Sequence, residues 1–495
     1  MLEDALKRLT KHSVLYALGP AVHKAIGFAL LPLVTVYVGT TANYGITEMA
    51  AVSLGVAGQL FGINLLHGLS RFYPEYATDE ERGRLVTTCG FLLVATTGIA
   101  WILAYIFRAQ GAELLFDDRN ATDAFVAVGG ILFFQTSTQV GLRYLQILER
   151  SVAYGVVTTT KLVCEVGLKL WFLVGLGLLY MGVIYSVLVG EALVACALWI
   201  FIARRAGLSF SGAMARRLIR YSYPLILSGV CMFVLHQADR FVLKHYLDLS
   251  EVGKYALGYK LGSMASVVIL EAFGMIWFNY VFGLRDEEHV RLVCRKVLTY
   301  FTLVMCFASL ALAVFAPEIV RWMAAPEYFD SHRALPIIAA GYVFWAIFQI
   351  VHTVFFVRQK TVHITFLVAA AAVLNLALNA WLAPRVGFVG AAWATLATFA
   401  ALAGVGGWFA ERLFPVRYEI GRVVVPIVLA VGLYLASIQL PAAPIAAVAL
   451  VKSALVLALP AALWWGGYLD PLEKEKIKQM SKSVRELVFR RQRTV

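Results

Sequence analysis

Long apolar runs separated by short polar stretches fill the chain, and this pattern predicts a protein built of membrane-spanning helices. A helix needs about 20 apolar residues to cross a bilayer, and fourteen segments reach or approach that length. The predicted spans are residues 13–38, 46–70, 85–107, 123–147, 152–176, 182–203, 223–247, 255–282, 297–318, 335–357, 362–383, 388–410, 423–440 and 443–465. The predicted fold class is therefore all-α and polytopic.

Composition supports this prediction. Hydrophobic residues make up 61% of the 495 residues and charged residues only 15%, and the mean hydropathy is +0.77. About a quarter of the residues of a soluble globular protein are charged. The soluble globular class is thereby excluded.

Basic residues lie mostly on one side of the predicted membrane. With the N-terminus inside, the inner segments hold 29 of the 43 Lys and Arg residues and the outer loops hold six. This asymmetry predicts cytoplasmic termini at the inner (plasma) membrane. The net charge of +13 then reflects topology and contact with anionic inner-leaflet lipids, and no nucleic-acid partner is expected. The tail, residues 470–495, is predicted to be a basic amphipathic helix on that leaflet.

The chain contains an internal duplication. Residues 79–86 (DEERGRLV) and 286–293 (DEEHVRLV) match at six of eight positions, 207 residues apart, and both are predicted to be loops. Each copy holds six spans, an even number, so the repeat is parallel. The predicted parts are an N lobe (1–203), a cytoplasmic linker (204–220), a C lobe (221–410), and a helical hairpin of spans thirteen and fourteen (423–465).

Sequence signatures of catalysis are absent. The chain has no HExxH, no Gly-x-Ser-x-Gly and no P-loop. Its six cysteines form no CxxC pair, so neither a zinc site nor a disulfide framework is predicted. We expect no enzymatic activity, no cofactor and no metal.

Span five carries a polar stripe. Lys161, Glu165 and Lys169 fall on one helix face together with Tyr154 and Thr158. Two cations for one anion leave a net positive charge, which would suit an anionic ligand. Alternatively, Glu165 only neutralises its neighbouring lysines and the stripe holds helices together.

Further charges lie deep in other spans, where each costs on the order of 3 kcal/mol. Lys24 is near the middle of span one, with Glu191 or Glu165 as conceivable partners. Asp239 and Arg240 are adjacent in span seven and should point about 100° apart. One is expected to line a cavity and the other to pair with Lys260 or Glu271. A functional and a purely structural role are equally open for this pair. Lys452, in the hairpin, is expected to reach the membrane surface or a lipid phosphate.

These charges give the candidate site. The predicted substrate-binding residues are Lys24, Lys161, Glu165, Lys169, Asp239 and Arg240, and the predicted coupling or gating residues are Arg71, Glu191, Lys260 and Glu271.

Several short motifs carry a resemblance to a known family. They are the opening KHSVLYALGPAVHKAIGFALLPLVTVYV, Asn43-Tyr44-Gly45, LSRFYPEY at 69–76 followed by DEE, QADRF at 237–241 and SEVGKY at 250–255. With them the chain resembles the polysaccharide-transport (Wzx-like) flippases of the multidrug/oligosaccharidyl-lipid/polysaccharide exporter superfamily. The likeness covers both six-span halves.

The resemblance implies two six-helix lobes around a central cavity. It also implies transport of a polyprenyl-diphosphate-linked oligosaccharide from the inner to the outer leaflet, with other polysaccharide-assembly membrane proteins as conceivable partners. Fourteen spans are similar to the lipid II flippases of the same superfamily as well. An ion-coupled exporter of drugs or other small amphiphiles is a further alternative, although the multidrug exporters typically have twelve spans and an acid in span one, where this chain has Lys24.

Two other classes fit less well. A polyprenyl-dependent polymerase or glycosyltransferase would need acidic residues and larger outer loops, whereas the first outer turn, residues 39–45, has no acid. A scaffold protein without transport activity would have no need of buried charges.

Overall fold

The computed structural model describes residues 25–62, 64–284, 286–440, 445–468, 471 and 473–475, and these contain helices and no β-strand. The helices are α1 (Leu31–Tyr37), α2 (Thr41–Phe61), α3 (Leu65–Phe72), α4 (Asp79–Ile106), α5 (Arg108–Phe116), α6 (Thr122–Ile147), α7 (Ser151–Leu170), α8 (Leu179–Ala206), α9 (Gly212–Tyr246), α10 (Leu249–Gly262), α11 (Glu271–Gly283), α12 (Glu287–Val314), α13 (Ala316–Met323), α14 (Leu335–Val351), α15 (Thr353–Val357), α16 (Thr361–Val386), α17 (Phe388–Leu413), α18 (Ile420–Ile438) and α19 (Ile445–Trp465). Short 3₁₀ helices cover Tyr73–Glu75 and Pro326–Arg333, and π-helical turns cover Trp171–Gly175 and Ser266–Leu270.

Eleven helical segments of the described residues are long and apolar enough to cross a membrane. Helices α2 and α3 make a twelfth candidate, bent by 49°, and Gly62 at the bend has a φ of 125° that favours glycine. Predicted span five, now α7, is outside this set. Predicted span one begins in residues that are not described. The all-α polytopic fold is confirmed, and the count of fourteen stays a prediction.

The duplicated octapeptides begin two long helices and are not loops. Helices α4 and α12 are each 28 residues long. Thr78 caps α4 in a capping box with Glu81, and Asp286 caps α12 by accepting from the backbone N–H groups of Glu288 and His289. Such caps satisfy the first free N–H groups of a helix, so both helices begin before the apolar residues do.

Two bundles pack side by side, and we use N lobe for α1 to α8 and C lobe for α9 to α17. In the N lobe α6 packs between α4 and α8, and α7 packs on α8. In the C lobe α14 packs between α12 and α17, while α16 packs between α9 and α17. The lobes meet where α2 packs on α10 and where α9 packs on α2 and α3.

Helix α9 extends further than its predicted span. It runs for 35 residues from Gly212, capped by Ser211, so most of the predicted linker, residues 204–220, continues directly into span seven. The predicted domain boundaries stay predictions.

The hairpin of α18 and α19 packs on α12. Lys452 of α19 does not reach a lipid phosphate as predicted: it is 8% exposed and donates a 2.6 Å hydrogen bond to Glu318 of α13. Most of the predicted tail helix, from residue 476 onward, lies outside the described residues.

Candidate functional site

The polar stripe of α7 faces α8. Lys161 Nζ donates to Glu191 Oε1 of α8 at 2.5 Å and lies 3.6 Å from Glu165 Oε1. Glu191 is 1% exposed and Glu165 is 8% exposed. One ammonium group therefore lies between two buried carboxylates of neighbouring helices.

This arrangement removes the net positive charge that was expected of the stripe. Glu191 supplies a second carboxylate, so Lys161 and Lys169 are balanced by Glu165 and Glu191. Sequence spacing within one helix could not reveal a partner on the next one. The pairing between α7 and α8 agrees with the interpretation of the stripe as a contact between helices, and it leaves open a role in binding.

Lys169 has a different environment. It is half-buried and forms no hydrogen bond or ion pair with another residue in the described part of the chain. It interacts electrostatically with Glu165 and with Lys260 of the C lobe. Lys169 is thus influenced by charges of both lobes and forms no ion pair with a carboxylate of the described residues.

Lys260 connects the lobes. Its Nζ donates to Glu48 of α2 and to the Tyr44 hydroxyl at 2.9 Å, and it lies 5.1 Å from the centre of the Tyr44 ring. The Glu48 side chain is 9% exposed, whereas that of Lys260 is 41% exposed. The charged residues of α7, α8, α2 and α10 therefore form one group at the lobe interface, which we call the interface cluster: Lys161, Glu165, Lys169, Glu191, Glu48 and Lys260.

The first turns of α2 and α10 form a tight contact, which we call the seam: Thr41, Gly45, Ser250 and Gly253. The hydroxyls of Thr41 and Ser250 are 2.6 Å apart. A Cβ on Gly45 would lie 2.0 Å from the carbonyl oxygen of Leu249, and a Cβ on Gly253 would lie 2.1 Å from that of Thr41. Only glycine permits such an approach of two backbones, so the lobes are closed against each other at this end.

Asp239 and Arg240 do not point to separate partners as predicted. Arg240 Nη1 donates to Asp239 Oδ1 at 2.8 Å, and each side chain is 3% exposed. The Tyr255 hydroxyl donates to Asp239, and the Arg240 guanidinium lies 4.2 Å from the centre of the Tyr259 ring. Long side chains curl back along a helix, so neighbours can pair in spite of the 100° between them. Neither residue contacts Lys260 or Glu271 by an ion pair within the described residues.

Two further predicted residues, Arg71 and Glu271, lie apart from the interface cluster. Arg71 is largely exposed at the end of α3 and pairs with Glu75 at 2.5 Å, and Glu75 also pairs with Arg217 of α9. Glu271 lines a cavity inside the C lobe. Lys24 lies outside the described residues. The described residues hold no group of three or more His, Cys, Asp or Glu side chains that could bind a metal ion.

Sequence reasoning missed the tyrosines of the site. Tyr44 contacts Lys260, Tyr255 and Tyr259 surround Arg240, and the hydroxyls of Tyr259 and Tyr342 are 2.9 Å apart. The i, i+4 spacing of Tyr255 and Tyr259 places them on one helix face, and this was the available signal.

With this geometry in hand, sequence comparison assigns the family. Residues 44–332, more than half of the chain, match a family described as polysaccharide biosynthesis protein. The chain belongs to this family. No curated protein matches the sequence.

Solved structures show the same fold. The lipid II flippase MurJ in an inward closed conformation has a TM-score of 0.68 at 12% identity, over 92% of this chain and all of that one. A MATE-family multidrug resistance transporter of the MOP superfamily has a TM-score of 0.57 when inward-facing, at 16% identity over 83% of this chain and 99% of that one. An outward-facing MATE transporter has a TM-score of 0.51 at 15% identity, over 83% of this chain and 96% of that one. At these identities the likeness shows the fold alone. Family and fold together confirm the predicted resemblance, and the chain is a multi-pass membrane protein of polysaccharide biosynthesis.

Proposed function

We propose that the protein is a flippase that moves a polyprenyl-diphosphate-linked oligosaccharide from the inner to the outer leaflet by alternating access. The observation that carries the proposal is the interface cluster, where lysines of both lobes lie together in the membrane-spanning region. Buried ionisable residues in membrane proteins commonly mark the path of a substrate. The family, polysaccharide biosynthesis protein, supports a glycan as part of the cargo.

A diphosphate would bind by replacing carboxylates. Lys169 has no partner among the described residues, so it is the cation that a phosphate would reach first. Lys161 and Lys260 would then exchange Glu191 and Glu48 for phosphate oxygens. Breaking a buried ion pair costs about 3–5 kcal/mol when nothing replaces the lost partner, so the exchange is feasible only with an anion in place.

Transport in this direction needs no coupling ion. Moving two negative charges outward across an inside-negative membrane is favoured by about 4.6 kcal/mol per 100 mV, twice the single-charge value. If the lysines neutralise the cargo, the potential instead favours the return of the empty transporter. Glu165 and Glu191 are the groups in the interface cluster that could carry a proton.

The conformational parts follow from the contacts. With cytoplasmic termini, the seam is at the outer face, so the present conformation is closed to the outside. We propose that Arg71, through Glu75 and Arg217 of α9, acts at the inner face, where anionic lipids and other polysaccharide-assembly proteins would also bind. We propose that Asp239 and Arg240 stabilise the packing of the C lobe, because both side chains are buried in this conformation.

The test is the leaflet in which cargo accumulates. Conditional depletion should leave undecaprenyl-linked glycan on the inner leaflet, and wild type should restore export. Lys169→Gln should restore little, because it removes the unpaired cation and breaks no pair. Lys360→Gln is the matched control, since the exposed Lys360 that precedes α16 also forms no ion pair within the described residues. Unchanged lipid-linked glycan on depletion would contradict the proposal and favour a small-molecule exporter.

A second candidate is a lipid II-type flippase. It is favoured by the fold likeness to MurJ, which extends over 92% of this chain. Depletion distinguishes the two candidates. Loss of a lipid II-type flippase should cause lipid II to accumulate, whereas loss of the proposed oligosaccharide flippase should cause a lipid-linked polysaccharide repeat unit to accumulate.

A further inference from the structure

The C lobe contains a cavity of about 310 Å³ away from the interface cluster. Its wall includes His236 of α9, Ser266 of the π-helical turn, Glu271 of α11, and Tyr342, Trp345 and Gln349 of α14. Helix α9 also packs on the N lobe, where a Cβ on Gly55 would meet the Phe233 ring at 2.8 Å. The cavity therefore adjoins the helix that borders the lobe interface.

The polar groups on this wall have hydrogen-bonding capacity to spare. The His236 ring, the Ser266 hydroxyl, the Trp345 indole N–H and the Gln349 amide form no side-chain hydrogen bond with any other described residue. None of their polar atoms is both fully buried and unpaired, so they reach open space. Buried polar groups in proteins are nearly always hydrogen-bonded, and this set of donors and acceptors is complementary to a ligand that supplies both.

The aromatic part of the wall is rigid. Trp345 is 6% exposed, and its ring lies 4.6 Å from His236, 5.2 Å from Phe399 and 5.7 Å from Phe348, measured between ring centres. A fixed aromatic ring beside neutral hydrogen-bonding groups is the chemistry that recognises sugars, whose C–H faces pack on rings and whose hydroxyls both donate and accept.

Backbone irregularity occurs at the same place. The π-helical turn Ser266–Leu270 directly precedes Glu271. Single π-turns within helices are frequent at functional sites, and irregular backbone at membrane depth is tolerated where it lines a cavity. The cavity volume is within the range of small-molecule sites, roughly 300–1,000 Å³.

We propose that this cavity binds a neutral sugar unit of the cargo, while the interface cluster binds the diphosphate. The inference rests on the proposed function. A phosphate is disfavoured in the cavity because no Lys or Arg of the described residues is part of its wall. An organic cation would suit Glu271 and the aromatic rings, but it would leave the hydroxyl, amide and indole groups unsatisfied.

The experiment compares two cargoes on the purified full-length protein in liposomes. One is the lipid-linked glycan extracted from depleted cells, and the other is undecaprenyl diphosphate, which has no sugar. Gln349→Leu keeps the side-chain size and removes the amide, and Trp345→Phe keeps a ring and removes the indole N–H. Each should lower binding and transport of the glycan cargo by about fivefold to tenfold, the effect of one lost hydrogen bond, and leave undecaprenyl diphosphate unchanged. Gln439→Leu, on the exposed end of α18, is the matched control.

The outcomes separate the two proposals. If wild type binds and moves neither cargo, the proposed function is wrong. If wild type moves both cargoes and neither variant changes binding or transport of the glycan cargo, the sugar site is wrong. The sugar site is also wrong if both variants weaken binding and transport of the two cargoes equally. The organic cation tetraphenylphosphonium is a further probe. If it binds, competes with the glycan cargo and no longer binds to Glu271→Gln, the cavity is a cation site and the proposed sugar site is wrong.

Discussion

Lys161 of the N lobe contacts two buried carboxylates. It lies between Glu165 and Glu191, and Glu191 Oε2 has no hydrogen-bond partner among the described residues. Removing Lys161 would leave two buried carboxylates without the ammonium group that contacts both, whereas removing one carboxylate would leave the lysine with the other. The stability of α7 against α8 should therefore depend more on the lysine than on either acid.

We accordingly expect Lys161→Ala to lower the free energy of unfolding by about 3–5 kcal/mol, and Glu191→Gln to lower it by clearly less. Thermal unfolding of the purified variants measures both. The control is Arg84→Ala, which removes an exposed pair with Glu80 worth at most about 1 kcal/mol. Equal melting temperatures for Lys161→Ala and the control would show that the cluster does not hold the helices together.

Lys452 provides a second test at this scale. Lys452 of α19 donates a hydrogen bond to Glu318. We expect Lys452→Ala to lower the free energy of unfolding by about 1–3 kcal/mol, because a hydrogen bond between charged groups is lost. The measurement is again thermal unfolding, with Ser453→Ala as the neighbouring exposed control, because that hydroxyl bonds only within its own helix. A melting temperature equal to wild type would mean that Lys452 finds an equivalent partner in lipid.

At the scale of helices, sequence predicted most of the architecture because apolar runs of this length have no other stable form in a membrane. It placed the starts of α4 and α12 too late, because Thr78 and Asp286 extend these helices through polar residues. It also missed the pairing of Lys161 with Glu191 and of Asp239 with Arg240. Such pairs depend on which helices are neighbours and on side-chain rotamers, and neither follows from periodicity.

The crossing of α2 and α10 depends on two glycines, which gives a prediction for these helices. Gly253→Ala should push the seam apart, because its Cβ would lie 2.1 Å from the Thr41 carbonyl oxygen, and overpacking of this kind costs about 1–3 kcal/mol. A cysteine at position 41 should then react faster with a membrane-impermeant maleimide added outside. Gly404→Ala on α17, where a Cβ meets nothing within 4 Å, should leave that rate unchanged. Equal rates in both variants would contradict the role of the glycines.

At the scale of the whole molecule, the lobes are joined unevenly. The seam closes one end, the ion pair of Lys260 and Glu48 lies deeper, and the linker end of α9 is held to the N lobe through Arg217 and Glu75. Alternating access requires the first of these contacts to open while the lobes keep their own packing. The seam involves neutral groups, so its opening separates no charges.

A disulfide across the seam should therefore stop transport without disturbing either lobe. The hydroxyl oxygens of Thr41 and Ser250 are 2.6 Å apart, which places their Cβ atoms near the spacing of about 3.5–4.5 Å that a disulfide needs. The double variant Thr41→Cys/Ser250→Cys should lose export of lipid-linked glycan under oxidising conditions and regain it with a reductant. Each single cysteine variant, treated in the same way, controls for the six native cysteines. Export at the wild-type rate by the fully crosslinked protein would show that the cargo leaves by a path that does not open the seam.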